Sequence, residues 1–147
     1  MICLWLDTAL NKKERDILMA DSKEKTIALL SSTAVSFAAT GATTLYTVPS
    51  GKKCIPFGFC VRPGADPVDC TATFGSTGTS ANSILDTQTF HTNVDSATEA
   101  GWVLPVPAAT TVAVPVLAAS DVIQITIGGG GGGETNYVDF FGYLVDA

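Results

Sequence analysis

The chain has 147 residues, enough for one well-buried core and too few to divide comfortably into two domains. An apolar fraction of 46% excludes a disordered chain, while charged residues make up only 15%. The net charge of −6 is unevenly spread: residues 63–147 carry nine carboxylates and no Lys or Arg, a surface that repels phosphate backbones and argues against a nucleic-acid partner.

Residues 1–25 stand apart, with Lys12, Lys13, Arg15, Lys23 and Lys25 balanced by Asp7, Glu14, Asp16, Asp21 and Glu24. Leu6, Leu10, Ile17 and Leu18 partly fit a helical period, which predicts a short helix or an arm within residues 1–32. The start, MICLWLDTAL, has no basic residue ahead of its short apolar run, and Asp7 interrupts it, so it does not read as an export signal. Met19 opens MADSKEK, a natural start, and a mature chain without residues 1–18 is a second reading of this end. No apolar run approaches the ~20 residues that span a bilayer, so no membrane partner is expected.

From residue 33 to 147 the texture is β. Strands are predicted at 34–38, 44–48, 54–62, 68–74, 83–90, 100–106, 110–114, 121–127 and 137–145, punctuated by Gly, Pro, Asn, Asp and Ser about every ten residues. In 122–127 the alternation is clean: Ile123, Ile125 and Ile127 take one face, Gln124 and Thr126 the other. Pro49, Ser50 and Gly51 form a turn between two strands. Pro105, Pro107 and Pro115 shorten their strands or confine them to an edge. Such spacing without helical patterns predicts an all-β fold, an antiparallel β-sandwich spanning 33–147.

No residue set with catalytic, cofactor-binding or metal-binding chemistry emerges. The six glycines 128–133 are followed by Glu134 and a strand, not by the Lys, Ser/Thr and helix of a phosphate loop, and read as a hairpin loop. His91 is the sole imidazole and reads as a loop residue, with no nucleophile elbow anywhere. Asp66 with Asp69, and Asp95 with Glu99, read as solvated loop acids rather than a calcium site. Trp102 reads as a core residue. Cys60 and Cys70 flank RPGADPVD and could face each other across a hairpin. Buried free thiols are the expectation in the absence of an export signal.

The segment Thr43-Thr44-Leu45-Tyr46-Thr47-Val48-Pro49-Ser50-Gly51-Lys52-Lys53 resembles a strand-turn-strand motif of tailed-bacteriophage virion proteins, in which T-x-L-Y-T-V-P-x-G-K opens a jelly-roll-like sandwich. Leu45 and Tyr46 are expected on opposite faces, and Ile55, Phe57, Phe59 and Val61 to alternate inward after Lys53. The ending, Tyr137 to Val145, looks like the closing strand of such sandwiches. The resemblance implies a jelly-roll-like virion structural protein without enzyme activity or cofactor. Its implied role is a capsid decoration or cement protein, a homotrimer bridging subunits of the major capsid protein in a virion assembled in the host cytoplasm. A fibre or receptor-binding module that recognises glycans is the alternative that the same motif implies.

Overall fold

In the computed structural model, residues 26–62, 70–77, 80–89, 101–103, 115–129 and 135–147 are described. The expected N-terminal helix or arm up to residue 25, the strand at 110–114, and His91, Asp66, Asp69, Asp95 and Glu99 lie outside them. The described residues form eight strands: β1 (Ala28–Ser36), β2 (Gly41–Thr47), β3 (Lys52–Arg62), β4 (Thr71–Ser76), β5 (Ser80–Thr89), β6 (Gly101–Val103), β7 (Val122–Gly128) and β8 (Thr135–Asp146).

Alternation explains β7 without further help, because Ile123, Ile125 and Ile127 are buried while Val122, Gln124 and Thr126 are half-buried. Every strand pairing is antiparallel, and each strand pairs with the one equally far from the other end of the series: β1 with β8, β2 with β7, β3 with β6, β4 with β5. This is one long hairpin of strand pairs. It is rolled up when β8 also pairs with β3 and β7 with β4. The result is two four-stranded sheets, β1-β8-β3-β6 and β2-β7-β4-β5, in the order of an eight-stranded jelly roll. The sandwich expected from the sequence is present, with the jelly-roll connectivity that the resemblance implied.

Besides two register shifts between β4 and β5, β-bulges in β1, β2 and β3 decide which of their side chains reach the core, and each departs from simple alternation. In β3 the register with β8 shifts between Pro56 and Gly58, leaving Phe57 as the extra residue. Cys54 and Pro56 therefore face inward before the bulge, and Phe59 and Val61 after it. The expectation of Ile55 and Phe57 pointing inward is overturned: Phe57 is 37% exposed and Ile55 only half-buried. In β2 the shift falls between Thr44 and Tyr46, so Leu45 is buried and Tyr46 packs on the core too, rather than on the opposite face. In β1 it falls between Leu29 and Ser31; Leu30 turns in against the core and Leu29 turns out. β1 also begins at Ala28, ahead of the predicted residue 34, because the bulge hides the strand period of 28–32.

The core lies between the sheets and is centred on aromatic rings. Phe59 (β3) stacks on Phe74 of the opposite sheet at 4.0 Å between centroids and on Phe140 (β8) at 5.1 Å. Tyr46 tilts against Phe140 at 5.8 Å. Such contacts add about 0.5–1.5 kcal/mol each beyond the apolar area they bury. At one corner the Val48 N–H donates to the Asp121 carbonyl at 3.0 Å and the Ser120 N–H donates to the Val48 carbonyl at 2.9 Å. The predicted turn is present, with the Lys52 N–H donating to the Pro49 carbonyl at 3.2 Å and Gly51 at φ 73°, a sign that glycine adopts freely.

Candidate interaction surface

Among the described residues, those with reactive chemistry do not converge. Among the described residues no three His, Cys, Asp or Glu side chains lie close enough to hold a metal ion. Gly128 ends β7, and its carbonyl accepts a hydrogen bond from the Thr71 hydroxyl. Cys60 lies on β3, while Cys70 precedes β4 in the other sheet; both are buried and reduced, as is Cys54. Burial pushes the Cys54 thiol up to about 12, and it raises Cys60 as well, with Asp139 adding to the rise and Arg62 opposing it. Such thiols are poor nucleophiles. Among the described residues no helix is long and apolar enough to cross a membrane.

What the fold does assemble is a surface. On the outer face of the β1-β8-β3-β6 sheet, registers set Leu29 opposite Phe141, Ile55 opposite Tyr143, Cys60 opposite Asp139 and Arg62 opposite Tyr137. Arg62 lies at the centre of a polar group there. Its Nε donates to Asp139 Oδ2 at 2.6 Å, and its Nη2 donates to Asp139 Oδ1 at 2.9 Å and to Ser32 Oγ at 3.2 Å. The guanidinium also sits 5.3 Å above the Tyr137 ring. This two-pronged pair ties β3 to β8, and Ser32 extends it to β1. The hydrogen bond from Arg62 holds the Asp139 carboxyl below its usual range against the opposing effect of burial, and the Ser32 hydroxyl helps. The same bond, then the charge of Asp139, raises Arg62.

Away from that group most of the face is apolar, with Lys53 exposed at one end. Phe57, pushed out by its bulge, meets Tyr143 edge-on at 6.5 Å. Leu29 is 55% exposed and Tyr137 45%. Trp102, expected in the core, has its backbone opposite Cys60. The outer face of the β2-β7-β4-β5 sheet differs in chemistry: Thr44 and Thr47 are exposed there, beside the half-buried Gln124 and Thr73. No local pattern pointed to Arg62 and Asp139, which are 77 positions apart. The one available signal was Arg62 as the last cation before a cation-free stretch.

No protein-family model matches the chain, and no curated protein does. Solved structures do. A chain of the cyanophage Pam1 capsid asymmetric unit aligns with a TM-score of 0.50 and 16% identity, covering 81% of this chain and 85% of that one. A chain of the acidic stable capsid of Helicobacter pylori bacteriophage KHP30 aligns with a TM-score of 0.50 and 13% identity, covering 84% of this chain and 99% of that one. Both neighbours are parts of phage capsids. At these identities the likeness is one of fold, and it extends over more than four-fifths of this chain in each case. The resemblance seen in residues 43–53 and 137–145 thus leads to a fold that chains of two phage capsids share.

Proposed function

We propose that the chain is a structural protein of a phage virion, a decoration or cement subunit that binds a capsid shell and stiffens it without chemistry. The observation that carries this reading is the jelly-roll fold, which aligns over most of the chain with components of two phage capsids. Its physical features suit a passive role. The described residues bury an aromatic and aliphatic core, their thiols are buried, and the reactive side chains do not converge. In this reading the protein is a homotrimer seated over junctions between subunits of the major capsid protein, and association buries sheet surface that would otherwise face water. The acid-rich sandwich keeps free trimers apart and repels packaged DNA. The experiment is the protein profile of purified virions. The chain is expected there at a copy number commensurate with the shell, and its absence from the profile overturns the proposal.

A further inference from the structure

We infer that the outer face of the β1-β8-β3-β6 sheet is the side that seats this domain, and that it takes an apolar, carboxylate-bearing surface of a capsid subunit; the inference rests on the decoration reading above. The first argument is the composition of the face. Leu29, Phe57 and Tyr137 are substantially exposed on one side of one sheet, with Phe57 braced edge-on by Tyr143 and Arg62 lying over Tyr137. Aromatic residues and Arg are the side chains enriched at the centres of protein interfaces, and here packing and ion pairing already hold them in place, which lowers the entropy lost on docking. The bulge at Phe57 contributes directly, since an unbroken strand would have turned that ring into the core.

The second argument is charge. In residues 26–147 the cations are Lys52, Lys53 and Arg62, and all three stand on β3 of this sheet. Asp139, the acid that the described residues place on this face, is nearly buried and matched by Arg62, so among them the exposed Lys53 leaves the face slightly positive in a chain of net charge −6. A partner bearing carboxylates is attracted to this side and repelled by the rest of the domain, which orients the encounter. Two copies meeting through the same patch around a two-fold axis would set like charges against each other. Among the described residues, the outer face of the other sheet, with its exposed threonines, has neither the apolar anchors nor a cation.

The experiment measures binding of the full chain to shells built from the phage's major capsid protein and lacking this protein. The variants are Leu29→Glu, Phe57→Glu and Lys53→Glu on this face and Thr44→Glu on the other, each checked by its melting profile to be folded at the temperature of the assay. The unaltered protein is expected to bind. Leu29→Glu and Phe57→Glu should each weaken binding at least about thirtyfold, the scale of an interface hot spot. Lys53→Glu should weaken it and flatten its salt dependence, and Thr44→Glu should leave it within about twofold. The assignment is overturned if Thr44→Glu abolishes binding while the other variants retain it. It is also overturned if Leu29→Glu and Phe57→Glu break the homo-oligomer but bind shells normally, because the face then belongs to a second copy. A photo-crosslinking residue at position 29 that captures residues 1–25 of the same free chain would overturn it too. If the unaltered protein does not bind shells, the decoration reading itself fails and this inference falls with it.

Discussion

Truncating Phe57 and truncating Phe59 should have very unequal consequences for the fold, although the two residues are two positions apart and simple alternation puts both in the core. Phe59 is fully buried and stacks on Phe74 and Phe140. Phe59→Ala removes that ring from a close-packed centre where both sheets meet, a change that costs about 4 kcal/mol. Phe57 is the bulged residue, 37% exposed, with Tyr143 as its aromatic neighbour, and truncating it opens no internal cavity. Scaling the value of a buried Phe by the part hidden here gives about 1 kcal/mol for Phe57→Ala. For 147 residues the unfolding entropy makes 1 kcal/mol worth about 3 °C, so the melting temperature should fall about 12 °C for Phe59→Ala and about 3 °C for Phe57→Ala. Calorimetry or thermal circular dichroism at one fixed protein concentration measures both, since self-association shifts the midpoint. A loss for Phe57→Ala equal to or larger than that for Phe59→Ala would mean that β3 runs without its bulge, and the register described above would be wrong.

Further outcomes follow from other parts of the sandwich. Gly142→Ala should destabilise by about 1–3 kcal/mol in urea titrations, because a Cβ there would meet the Ile55 carbonyl oxygen and Leu30 Cδ1 at 3.0 Å; an unchanged midpoint would refute that close approach. Ser120 holds φ at 73°, and Ser120→Gly should raise stability by about 0.5 kcal/mol by relieving a left-handed backbone, net of glycine's larger loss of freedom. Cys54, Cys60 and Cys70 should resist a thiol reagent at pH 8 in the native protein and react fully in denaturant; rapid native labelling of any of them would contradict their burial. Asp139 is held below its ordinary value, so its pairing stabilises the fold above about pH 4 and the benefit is lost as pH falls through the lowered folded value. Asp139→Asn should therefore be less stable than the parent at pH 6 and show a shallower loss of stability below pH 4; parallel pH profiles would refute this.

The class of fold was legible because it depends on local signals. The isoleucines of β7 alternate without interruption, the turn at Pro49, Ser50 and Gly51 uses the residues its geometry requires, and strand-rich segments recur without helical ones between them. The strand register was not legible, since a single inserted residue reverses every later side chain. The bulges at Leu45 and Phe57 therefore misassigned the faces of the residues around them, and the one at Leu30 hid the start of β1. Long-range pairing was hidden for another reason. Ser32, Arg62 and Asp139 come from three separate strands, and nothing in their local sequence records that β8 inserts between β1 and β3. The docking face depends on that insertion and on the Phe57 bulge, so it appears only once the register is known. The motif in residues 43–53 led to the right fold while misplacing Tyr46, because a strand-turn-strand resemblance carries the turn but not the bulge beside it.

The most direct test of the whole account is a cryo-electron microscopy reconstruction of the phage head, compared with heads from a phage lacking this gene. The account requires jelly-roll densities on the parental shell that vanish from the mutant, with the β1-β8-β3-β6 sheet turned toward the capsid subunits. Identical shells in the two reconstructions would contradict it.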